Sequence, residues 1–136
     1  SDIAVFLLQE HCFSERRELF MGEMLFQDDD KVVQVAMQIV IAAGDARNAA
    51  GKALDCVGQF DFAGAKEYMK EAHSHISKAH NAQTEMIQAE ISGEEKIQPS
   101  MLFSHAQDTL MTVMSEIHMA DKMIAVFESF YDKMGK

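Results

Sequence analysis

Two ionisable side chains interrupt an otherwise apolar run, "SMLFSHAQDTLMTVM", at positions 100–114. His105 and Asp108 are three residues apart, which on a helix places them about 60° from each other on the same side. Thr109 and Thr112 extend that side into a polar stripe. Three kinds of chemistry fit the pattern. A buried imidazole and carboxylate can satisfy one another by a hydrogen bond, and spacing alone favours this reading. A neutral imidazole near pH 7 can also act as a nucleophile or a proton carrier. A carboxylate such as Asp108 is costly to bury without a partner or a cation. Several copies of it meeting at a symmetry axis could share a metal ion.

The other five histidines are His11, His73, His75, His80 and His118. A di-metal carboxylate bundle needs Glu-x-x-His on two helices. The residues three positions before the six histidines are Leu8, Lys70, Ala72, Ser77, Leu102 and Ser115, so the motif is absent. H-E-x-x-H, G-x-S-x-G, a Walker loop and G-x-G-x-x-G are absent too, which leaves hydrolase and nucleotide readings without an anchor. Glu71 and His75 can pair at i, i+4. His73 and His75 read as a solvated face, His80 as a packed and hydrogen-bonded histidine, and His118 as a surface or interface residue.

The composition bounds the elements that must position these groups. The chain has 136 residues, enough for one domain, with 48% apolar residues and a net charge of −10. Such acidity argues against nucleic acid and anionic membranes as partners. No apolar run approaches the roughly 20 residues of a membrane span. Cys12 and Cys56 form no disulfide framework or metal spacing, which suits a reducing compartment. Pro99 is the single proline, and the scarcity of breakers favours long helices.

Three helical segments follow. The first opens at Asp28–Asp30, acids suited to a helix N-terminus, and stops at Gly58 as its C′ residue. Its polar stripe is Gln34, Gln38, Asp45, Asn48, Lys52 and Asp55, interrupted by Ile41. The apolar remainder is wider than one core stripe, so this helix should touch neighbours on more than one side. The second begins at the cap Asp61, with Phe60 and Phe62 as turn anchors, and ends at Gly93. The third runs from about Ser100 to Tyr131. Short connections make the expected fold all-α, an antiparallel up-down-up three-helix bundle. Residues 30–136 form this domain, and residues 1–29 an N-terminal extension. The extension reads as an extra helix or ordered arm rather than a signal peptide, and Met21 and Met24 offer alternative natural starts.

Four ordered segments resemble the enzyme IIA component of the lactose/cellobiose/chitobiose class of bacterial sugar phosphotransferase systems. They are "AGDARNAA" (43–50), "FDFAGAK" (60–66), "EAHSHISKAHNAQTEMIQAEISGEE" (71–95) and "HAQDTLMT" (105–112). The likeness covers about residues 30–134. Phe60 stands where the family turn has glycine, and Thr109 where the family has a second histidine.

The resemblance implies a homotrimer of three-helix subunits, a nine-helix bundle in the cytoplasm. It implies that His105 is phosphorylated by phospho-HPr and passes the group to a cysteine of IIB, which serves disaccharide import through the IIC permease. Asp108 matches a carboxylate at the trimer axis that can bind a divalent cation, Mg2+ or another; no organic cofactor is implied. Gln107 matches a supporting glutamine beside the active histidine. His80, Gln83 and Thr84 match family positions on the second helix without an assigned role. The alternative is a non-catalytic helical interaction or regulatory protein that retains the fold. Thr109 is the residue that keeps this alternative open.

Overall fold

The computed structural model describes residues 31–94 and 100–135. The readings made for residues 1–29, the Asp28–Asp30 cap and Pro99 lie outside the described residues. Three helices follow one another: α1 (Lys31–Gly58), α2 (Phe62–Ser92) and α3 (Met101–Met134). Lys66 pairs with Glu128 and His73 with Asp121, so α2 and α3 run in opposite directions. The end of α1 and the end of α3 meet at Val57 and Tyr131, which makes these two parallel. The arrangement is the expected up-down-up bundle.

Alanine sets how closely the helices pack. Ala36, Ala43, Ala46, Ala49 and Ala53 line α1, and all are buried. Against them lie Ala65, Ala72 and Ala79 of α2, repeated every seven residues, and Ala106 and Ala120 of α3. Small side chains let the backbones approach. The larger fully buried residues, Ile39, Met86, Leu110 and Val113, fill what remains. α1 packs extensively on α2, and α3 leans on α1 much more than on α2. The expected polar stripe of α1 is exposed throughout, Ile41 included.

The α1–α2 turn differs from expectation in one detail. Gly58 is the last helical residue, and the positive φ falls at Phe60, at 60°. The chain folds back there because Phe60 N–H donates to Val57 O and Asp61 N–H to Cys56 O. A phenylalanine in the left-handed region is strained. Its ring stacks on Tyr131 at 5.2 Å between centroids, which offsets part of that cost. The Asp61 cap is as expected: its carboxylate accepts from Gly64 N–H at 2.9 Å. Gly93 closes α2 in the left-handed conformation, φ 77°. The third helix continues to Met134, one turn beyond the expected Tyr131.

A Cβ at position 64 would collide with the Asp61 carboxylate and displace the cap. Asp61→Ala and Gly64→Ala should therefore each cost about 1 kcal/mol. The double variant should cost little more than either single one in urea denaturation. Additive losses would show that the two residues act separately.

Candidate functional site

His105 is the fifth residue of α3. The helix starts there because the Ser100 hydroxyl oxygen accepts from Phe103 N–H at 3.3 Å and Ser104 N–H reaches Ser100 O at 3.0 Å. Phe103, Ala106, Leu110, Val113 and Ile117 then turn one stripe of α3 into the core. His105 is left on the outward face, exposed. Its place as the fifth residue puts it beside the N-terminal end of α3, where the first N–H groups have no partner within the helix. That end of the helix carries a partial positive charge and favours anions.

The first reading of the pair does not hold. His105 and Asp108 are both exposed, and no hydrogen bond joins them among the described residues. Neither is driven to pair by burial, because the stripe they occupy faces away from the bundle. Thr109 is half-buried, and its hydroxyl donates to His105 O at 2.9 Å. Thr112 does the same to Asp108 O at 2.8 Å. Gln107 is half-buried and lies about 160° around the helix from His105, so the two share no face within one protomer.

The α2 histidines divide differently from expectation. His73 Nε2 lies 2.8 Å from Asp121 and bridges α2 to α3. His75 is half-buried, 3.7 Å from Glu71. His80 is exposed rather than packed, since it sits a further 100° round the helix from buried Ala79. Its carbonyl accepts from the Thr84 hydroxyl. Beside it, Gln83 Oε1 is buried without a hydrogen-bond partner among the described residues. His118 is exposed, as expected.

Two features escaped the sequence reading. Arg47 makes a bidentate pair with Glu116, at 2.7 and 2.9 Å, tying α1 to α3. Those hydrogen bonds raise the Arg47 pKa further, so the guanidinium stays charged. The second is a cavity of about 630 Å³ lined by Val57, Phe60, Phe62, Phe127, Phe130 and Tyr131. It lies roughly 38 Å along α3 from His105. The aromatic density around positions 60 and 130 was the available signal. Its lining is aromatic and aliphatic and holds no histidine.

Residues 34–128 match the family described as PTS system, Lactose/Cellobiose specific IIA subunit. The chain belongs to this IIA family. The lichenan-specific phosphotransferase enzyme IIA component of Bacillus subtilis is 34% identical over 107 residues, covering 79% of this chain and 96% of that protein. The crystal structure of the cellobiose-specific enzyme IIA of Bacillus anthracis superposes with a TM-score of 0.72 at 35% identity, covering 78% of this chain and 96% of that one. The IIA(chitobiose)–HPr complex of the Escherichia coli N,N'-diacetylchitobiose branch contains a similar chain: TM-score 0.65, 33% identity, covering 75% and 98%. The IIA fold is thus the scaffold that presents His105.

Because the His105 ring is exposed and unbonded among the described residues, His105→Gln should change unfolding free energy by no more than about 0.5 kcal/mol. A loss of several kcal/mol in denaturant titration would mean that the imidazole is structural after all.

Proposed function

We propose that this IIA protein carries a phosphoryl group on His105, taken from phospho-HPr and delivered to a cysteine of a IIB component for disaccharide uptake. One observation carries the assignment to His105: it is an exposed imidazole at the N-terminal end of a rigid helix, with a free nitrogen to attack. The Escherichia coli relative solved with HPr supports the donor. The family supports IIB and its IIC permease as the downstream partners, with this component in the cytoplasm. No helix among the described residues is long and apolar enough to cross a membrane.

The transfer asks little of the protein beyond orientation and charge screening. The imidazole forms the new P–N bond as the bond to the donor's imidazole breaks. Splitting one difficult transfer into two easier ones is the gain of covalent catalysis. The phosphoryl group adds about two negative charges to a chain already at −10. The N-terminus of α3 offsets some of this locally. Gln107 is assigned a supporting role, which in a trimer would come from another protomer's flank rather than its own.

A homotrimer about α3 is supported by the face of α3 that the bundle leaves bare. Met119, Met123, Val126 and Phe130 are exposed and lie within about 60° of His105 and Asp108 on the helix. A continuous apolar stripe of this kind marks an association surface. One protomer offers no cluster able to hold a metal among its described residues. Three copies of Asp108 would supply an all-oxygen set, which suits Mg2+ or a similar hard cation. No step of the transfer passes through such an ion.

With phosphoenolpyruvate, enzyme I and HPr, the protein should gain an acid-labile adduct, and His105→Gln should gain none. A His105→Gln protein that accepts phosphate like the wild type would place the site elsewhere. Sedimentation at micromolar concentration should give three protomers per particle. Asp108→Val should raise the melting temperature of the assembly by removing three clustered carboxylates. A monomer in both proteins would exclude the axis.

A further inference from the structure

Met101 is the most exposed large apolar side chain of α3, at 90%. It is the first residue of that helix, and His105 follows one turn later, about 40° round on the same face. Residues at i and i+4 are neighbours on a helix surface, with Cβ atoms about 6 Å apart. Beyond His105 the face is polar and exposed at Asp108 and Thr112. Exposed apolar residues resume on it only at Met119, roughly 27 Å along the axis from Met101. Met101 is therefore separated from the bare association stripe and stands with the histidine. Met111 is the other exposed large apolar residue of α3 close to His105, and it lies about 120° round the helix.

We propose that Met101 is a docking residue for the phosphoryl donor: its side chain seats against an apolar part of the phospho-HPr face that carries the phosphoimidazole. This rests on the reading of His105 as the phosphoryl acceptor. Transfer needs the donor's phosphorus about 3–3.5 Å from the attacking nitrogen. A protein donor that close covers more than the ring. An interface of ordinary size takes about 800 Å² from each partner, a patch roughly 16 Å in radius. A patch with the reacting atoms near its middle includes Met101, one turn away. Residues near the middle of an interface dominate its binding energy, and methionine is enriched there. A flexible, polarizable thioether also adapts to an uneven apolar partner. Met101 moves no proton and makes no bond to phosphorus. Its contact is equal in the encounter complex and the transition state, so its loss acts on KM and not on kcat.

Steady-state transfer from phospho-HPr tests this in the full chain. Met101→Ala should raise KM for phospho-HPr about tenfold, and Met101→Asp more, with kcat within about twofold of the wild type. Met101→Leu, which keeps an apolar side chain of similar size, should restore KM. Met134→Ala, exposed at the far end of α3, should leave both constants unchanged. Sedimentation of each variant reads the assembly. An unchanged KM in Met101→Asp overturns the docking role. So does a raised KM that comes with loss of the assembly, which would make Met101 an association residue. The acceptor is tested separately: if His105→Gln is phosphorylated as readily as the wild type, that assignment fails whatever the Met101 variants show.

Discussion

One constraint organises this molecule: α3 buries a single stripe, and that stripe is held against an alanine-lined face of α1. The close approach of Ala106 and Ala120 to the α1 seam leaves α3 no freedom to rotate, because any turn would drive Leu110 and Val113 out of a filled core. Rotation is the coordinate that matters for the site. His105 is outward only because Ala106 and Phe103 are inward. The cross-helix pairs Arg47–Glu116, Lys66–Glu128 and His73–Asp121 lie on the rim and add register more than stability, since exposed ion pairs contribute about 1 kcal/mol at most.

Electrostatics then decides what the outward face can do. A chain with 22 acids and 12 bases carries a negative long-range field, and salt screening leaves the outcome near the site to local groups. The helix terminus beside His105 is such a group. It is a fixed dipole with no side-chain entropy to lose, and Ser100 caps only part of it. A histidine within the first turns of a long helix sits in a field that favours an added anion. The aromatic cavity lies at the far end of α3, outside that field.

Much of this was legible in the residues. The lengths and order of the helices followed from breakers and caps, with Asp61 and Gly93 found in their expected roles and Ser100, expected as the start of the third helix, capping it. His105, the proposed acceptor, was visible as a polar interruption of an apolar run. Less legible was the turn, where the positive φ belongs to Phe60 rather than Gly58. That strain is tolerated only because Tyr131, far along the chain, supplies a ring to stack on. His80 misled for a related reason: local spacing places it beside buried Ala79 but cannot show how far the neighbouring helix covers that flank.

The sequence by itself determined the helices, their up-down-up order, the family and the histidine proposed to carry the chemistry. These depend on composition, caps and periodicity, which act within a few residues. Only the tertiary structure decided that His105 and Asp108 both face out of the bundle and do not pair, and that Gln107 and Thr109 are half-buried. Each depends on how far α3 is rotated about its own axis. That angle is set by side chains of α1 packed across the core, so no window along α3 could contain it.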